Sequence, residues 1–190
     1  MNTEERLDYF GHELEAISDS RLKEFTKLCL AAAPDYIFID CPSSSSGKYH
    51  PLNELSWDGT LIHTKKAFNL AYALTKGLSV ESNRDLILIG ILLHDMVKRG
   101  WTNETGHTQW NHPQLGAELI DMIQADTQLL NDEEYRTIRN CIFYHYGPWT
   151  KGPASKPMTE YSLEELCVYI SDFVVTQRFI DVQYRDVEHD

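Results

Sequence analysis

The sequence predicts an all-α protein, a helical bundle preceded by an N-terminal helical hairpin. Three observations carry this: apolar residues recur at spacings of three and four, strand-like alternation is scarce, and several periodic segments begin on capping signals. In chain order the periodicity places helices at 3–17, 20–33, 60–76, 82–98, 112–126, 132–146 and 162–183. The first two make the hairpin. Ser82 with Asp85 opens the fourth helix, Pro113 suits the first turn of the fifth, and Asn131 with Glu134 opens the sixth. Ser162 with Glu165 forms a fuller capping box for the seventh. Between hairpin and bundle, Pro34 to Pro51 reads as irregular, with a short apolar piece, Tyr36-Ile37-Phe38-Ile39, leading into a serine run. There is no internal repeat.

A chain of 190 residues suits one compact domain. Residues 1–47 read as a helical extension and loop, and 48–190 as the main bundle. Hydrophobic content of 42% with 11% aromatics supports a packed core, and 24% charged residues argues against general disorder. No apolar run is long enough to span a bilayer, and MNTEERLDYF carries acids where a signal peptide would carry bases, so a cytoplasmic protein with no membrane partner is expected. Cys29, Cys41, Cys141 and Cys167 form no CxxC pair and read as small core residues. A net charge of −12 repels long nucleic-acid backbones and disfavours a long duplex partner. A small anionic ligand held by a metal and a few lysines fits better.

The serine run SSSSGK, Ser43 to Lys48, ends like a phosphate-binding P-loop but fails at both ends. Cys41 and Pro42 precede it, Tyr49 follows the lysine, and Pro51 is close behind, where the motif needs an upstream glycine, a Ser or Thr, and a helix. A flexible surface loop is expected, one that could close over a site.

The chemistry gathers around ILLHDMVK, Ile91 to Lys98. Leu86, Leu88, Ile89, Ile91, Leu92 and Leu93 cover most of a helix circumference, so this helix must be surrounded by others. An ionised Asp95 buried there costs several kcal/mol or more unless a cation compensates. A local His94–Asp95 hydrogen bond would explain one such doublet, but other segments repeat the anomaly. His63 shares a stripe with Ala67, Leu70, Ala71 and Leu74; His145 lies on the face of Ile138, Cys141 and Ile142; Asp172 stands inward between Val168 and Val175; His112 opens a helix carrying Leu115, Leu119 and Ile123. Convergence on one centre explains them together. Imidazole and carboxylate donors suit zinc, manganese, iron or nickel, and the absence of cysteine argues against a structural zinc knot. Six ligands exceed the needs of one catalytic ion. The count suggests two metals bridged by a carboxylate.

The order His63, His94-Asp95, His112, His145, Asp172 resembles the HD-domain superfamily of metal-dependent phosphohydrolases, in the version that holds a dinuclear centre. The resemblance covers roughly residues 48–183, through the phrases GTLIHTKK, NRDLILIGILLHDMVK, HPQLGAELI, IFYHYG and VYISDFV. Within the superfamily the layout is most similar to the HD domain of YhaM-type 3′-to-5′ exoribonucleases. One departure is HDMVK, where HD hydrolases commonly show HDxGK. Another is that residues 1–47 lack the nucleic-acid-binding OB module those exoribonucleases carry.

The resemblance implies an HD-domain helical bundle with two divalent ions (manganese, iron, nickel, cobalt or zinc, with magnesium a further option). His63, His94, Asp95 and Asp172 would hold one ion, and Asp95 would bridge to a second held by His112 and His145. Asp95 is then catalytic, and Lys98, on the same helix one turn after His94, is a candidate to contact a phosphate oxygen, against the alternative of a solvent-facing lysine. Arg99 and Lys151 are candidates at the mouth. Lys65, Lys66 and Arg84 read as solvated surface. His107 is a candidate for contacting the leaving group, and Trp101, Trp110 and Trp149 lie in loops where a base could stack. The implied reaction is hydrolysis of a phosphoester of a nucleotide, an oligonucleotide or a short single-stranded end. The alternative is a di-iron oxygenase of the same fold acting on a small organic substrate.

Overall fold

The computed structural model of the chain describes residues 1–150 and 155–184. The helices are α1 (Thr3–Asp8), α2 (Gly11–Ala16), α3 (Ser20–Ala32), α4 (Tyr36–Ile39), α5 (Gly59–Gly77), α6 (Arg84–Leu93), α7 (His112–Thr127), α8 (Asp132–Tyr144) and α9 (Leu163–Val175), joined by loops with isolated 3-10 turns. No strand occurs among the described residues, so the all-α class stands.

The caps explain where most helices begin. Asn2 with Glu5, Asn131 with Glu134, and Ser162 with Glu165 each form a reciprocal capping box, and Pro113 lies in the first turn of α7. Ser82 makes no cap. Its segment is a 3-10 turn, and α6 starts at Arg84. The helix expected at 3–17 is broken at Tyr9-Phe10, where Phe10 turns fully into the core against the edge of Phe38. The last helix stops at Val175, short of the expected 183. Thr176 Oγ1 and Gln177 Nε2 both donate to the Phe173 carbonyl there, taking an acceptor the next turn would have used.

Helix α6 is the axis of the bundle. Every residue from Leu86 to Leu93 is buried, with α5, α8, α9 and α3 packed around it. Two glycines let neighbours approach closely. A Cβ on Gly90 would lie 2.7 Å from Cys141 Cβ on α8, and one on Gly116 of α7 would lie 2.8 Å from Ile142 Cγ2 and 3.3 Å from the His94 carbonyl. Without them α6, α7 and α8 would stand apart, and so would the histidines at their ends. All four cysteines are buried thiols, as read from the sequence.

The N-terminal helices pack onto this bundle. Helix α3 contacts α6 and α7, and Arg21 donates to the Leu129 carbonyl (2.6 Å) and to both oxygens of Glu134 on α8 (2.7 Å each). The segment before α5 is tied down on both flanks of the serine run, whose Ser45 and Ser46 are exposed. Cys41 N–H donates to the Trp57 carbonyl, Ser43 N–H to that of Glu54, and Thr60 N–H to that of Cys41. Ser43 is 2% exposed and its hydroxyl donates to the Gly59 carbonyl.

Replacing Gly90 by Ala is expected to destabilise the chain by roughly 1–3 kcal/mol, because the added methyl must push α8 off α6. Urea unfolding should show a lower midpoint at unchanged slope.

Candidate metal centre

The chain ends α6 at Leu93 and then turns tightly, through hydrogen bonds from Met96 N to Leu93 O, Lys98 N to Asp95 O and Gly100 N to Val97 O. His94 is therefore a helix C-cap, and Asp95 and Lys98 lie beyond the helix, a correction to the continuous helix expected over 82–98. His145 is likewise the C-cap of α8, while His112 is the first residue of α7. At each of these positions the imidazole turns back onto a backbone carbonyl. His94 Nδ1 donates to the Ile91 carbonyl (2.6 Å), His112 Nδ1 to Gln109 (2.7 Å) and His145 Nδ1 to Ile142 (2.6 Å), each three residues back. His63, in the middle of α5, has no free carbonyl, and its Nδ1 meets the Glu54 carboxylate at 3.1 Å. All four rings are thereby oriented with Nε2 inward.

Those Nε2 atoms meet around two carboxylates. His63 Nε2 lies 2.9 Å and His94 Nε2 3.6 Å from Asp172 Oδ1. His94 Nε2 is 3.4 Å from Asp95 Oδ2, while His112 and His145 Nε2 lie 3.3 and 3.9 Å from Asp95 Oδ1. The structure brings all six sequence-predicted residues together.

Three features fit a divalent cation. His112 and His145 point Nε2 atoms at each other across 3.0 Å although each ring already spends its Nδ1–H on a carbonyl, so two lone pairs face one another. Two metal–nitrogen bonds of about 2.1 Å at near a right angle produce that separation. His94 Nε2 and Asp95 Oδ1 are buried and make no hydrogen bond. Finally, His63, His94 and Asp172 offer ligand atoms within 4.8 Å of one another, as do His94, Asp95 and His145.

The electrostatics have one cause. Burial would raise the Asp95 carboxyl, but Lys98 and then His94 outweigh it and hold it well below the usual range. Asp172 is held down likewise by His63 and His94. Burial works against the His94 imidazolium, yet the Asp95 charge, aided by Asp172, raises it to about 10. His145, buried beside His94 and His112, is pushed down to about 3.

The other sequence candidates divide. Lys98 is 5% exposed with Nζ 2.5 Å from Asp95 Oδ2, so the solvent-facing alternative is wrong. Arg99 is buried and donates to the Asp40 carbonyl, away from the cleft it was expected to flank. Lys66, read as solvated, is buried on Glu54 Oε1 and Asn53 Oδ1; Lys65 is buried as well. Arg84 is half-buried and donates to the Ser18 hydroxyl. His107 is exposed in its turn and lines no part of the cleft, and Trp110 also stands in solvent. Trp101 packs against the core, whereas Trp149 lines the cleft. Lys151 lies outside the described residues.

Sequence reading missed His50 and Glu54. Glu54 is completely buried and accepts from His50 Nδ1 (2.8 Å), His63 Nδ1 and Lys66 Nζ (3.0 Å). Both sit in a stretch without periodicity, and only a His-x-x-x-Glu spacing ahead of α5 marked them. The serine run, expected as a surface loop that could close over a site, lines the cleft above the centre, where the Thr108 N–H donates to Ser45 Oγ at 3.0 Å.

An all-helical bundle enclosing a histidine–aspartate centre fit for divalent cations defines the class. The HD domain family model matches residues 60–175, and the chain belongs to that family. It is similar to the 3′-5′ exoribonuclease YhaM of Listeria welshimeri, 26% identical over 165 residues that cover 83% of this chain and 50% of the relative. The chain thus spans about half the length of that relative. No solved structure gives a match. Family and relative together point to a metal-dependent phosphohydrolase.

Substituting Glu54 by Gln should loosen His63 and weaken metal binding by about 10- to 100-fold. Competition with a chromogenic chelator measures this, and His107→Ala should show no change in the same assay.

Proposed function

We propose that the chain is a phosphohydrolase dependent on two divalent ions, acting on a phosphoester of a nucleotide, an oligonucleotide or a short single-stranded end, with residues 48–190 as its catalytic domain. The observation that carries this reading is the convergence of anchored imidazoles on Asp95 and Asp172, with His94 Nε2 and Asp95 Oδ1 buried and unbonded. In this reading His63, His94, Asp95 and Asp172 hold one ion and Asp95 shares a second with His112 and His145. Such ions, when bound, polarise a phosphate and lower the pKa of a bound water.

The chain's own residues then bind and position. Lys98 balances the Asp95 charge from within the cleft, and its ammonium can reach a non-bridging phosphate oxygen. Ser44, Ser45 and Thr108 line the same space with hydroxyls that can donate to phosphate. His50, whose Nδ1 is occupied by Glu54, leaves Nε2 as the nitrogen available to the cleft, and it replaces His107 as the imidazole placed to contact the leaving group. The relative's name supports a ribonucleic-acid end as substrate. The net charge of −12 supports a short one.

The purified chain supplied with manganese is expected to release phosphate or mononucleotides from a nucleotide and oligonucleotide panel without dioxygen. Dioxygen consumption with iron and no anaerobic turnover would instead establish the oxygenase chemistry. Asp95→Ala should lose both bound metal and turnover. Chelation should lower Tm, since an ion at a hundred times its Kd stabilises the native state by about 2.7 kcal/mol.

A further inference from the structure

The cleft has a second wall that the metal centre does not use. Tyr169 and Phe173, one turn apart on α9, stack at 5.9 Å between ring centroids and 21° between planes. Phe173 stacks in turn on Trp149, at 5.8 Å and 19°. The result is a three-ring column with Tyr169 buried at its foot and Trp149 at its head, 52% exposed. Trp149 is carried there by a tight turn after α8, in which Gly147 has φ +54° and its Cα faces the Tyr169 ring so closely that a Cβ would lie 2.3 Å away. Column and turn are built against each other.

The column opens onto the metal centre. A chamber of about 290 Å³ is lined by Trp149, Phe173, Tyr146 and Tyr49 on one side and by His145 and Asp172 on the other. A second chamber of about 290 Å³ adjoins it, sharing Tyr49, His50, His145, Tyr146, Asp172 and Thr176. Its wall adds the serine run, Thr108 and Lys98, where the first has Trp149 and Phe173. A ligand filling both needs a flat apolar part joined, over a short distance, to an anion. Near-parallel ring faces favour a planar partner over an aliphatic chain.

We infer that the Tyr169–Phe173–Trp149 column is the base-binding wall of the substrate cleft, on which a nucleobase stacks at Trp149 while its phosphate lies toward Lys98 and the serine run. This deepens the phosphohydrolase reading of the same site and rests on it for the phosphate half. Phe173 is stacked on both sides, so the face left for a base is that of Trp149, which has no base-reading donor–acceptor pattern, and stacking there is tolerant of base identity.

The test is equilibrium titration of the full manganese-loaded chain with adenosine 5′-monophosphate and with ribose 5-phosphate. The nucleotide is expected to bind about tenfold more tightly, the gain from one stacked base. Trp149→Ala should bring its affinity down to the ribose 5-phosphate level, Trp149→Phe should keep most of the advantage, and Phe173→Ala should lose part of it. Equal affinities for the two ligands, or an undiminished advantage in Trp149→Ala, would overturn the assignment. Turnover of phosphoesters alongside equal affinities removes the base wall and leaves the hydrolase. A base advantage without any turnover does the reverse.

Discussion

The structure depends on one electrostatic constraint: Asp95 carries a charge in a place with almost no access to water. A carboxylate there must be compensated, and no single side chain does it. Lys98 reaches one oxygen; His94, His112 and His145 approach from three different helical segments. Because an unpaired buried charge costs several kcal/mol, the positions of α6, α7 and α8 are coupled to one another through this group as well as through apolar packing.

Coupling requires that the imidazoles arrive aimed. Three of them solve this in the same way, by standing at helix ends and giving Nδ1–H to the backbone carbonyl three residues back. That one bond fixes both the tautomer and the orientation of the ring. His63, lying inside α5, needs Glu54 for the same purpose, and Glu54 needs the tied-down segment that begins at Cys41. The irregular stretch is thus part of the centre's support, and the serine run reaches the cleft because its base is pinned at Ser43.

The same geometry divides the cleft. Asp172 and Phe173 are neighbours on α9, one facing the imidazoles and the other stacked with Trp149, so charged and aromatic walls meet along one helix. Arg178, just past the end of α9, donates to the carbonyls of His50 and Gly47 and ties that helix to the loop roofing the other side. Metal donors, hydroxyls and ring faces are therefore positioned by the same few contacts.

The all-α class, most helix positions, the six converging residues and the family were legible in the sequence, because each rests on a local or periodic signal: apolar spacing, capping pairs, or a polar residue on an apolar face. Lys98 and His50 were not decided there. Whether a lysine after a helix faces water or a carboxylate depends on where α6 ends, and a histidine in an aperiodic loop carries no facing signal at all. The stop at Leu93, the break at Phe10 and the burial of Glu54 and Lys66 were settled by competition among tertiary contacts. Local sequence determined which residues had to be hidden together. Only the packed bundle, through the close approaches at Gly90 and Gly116, decided how near they came and which atoms they turned toward the centre.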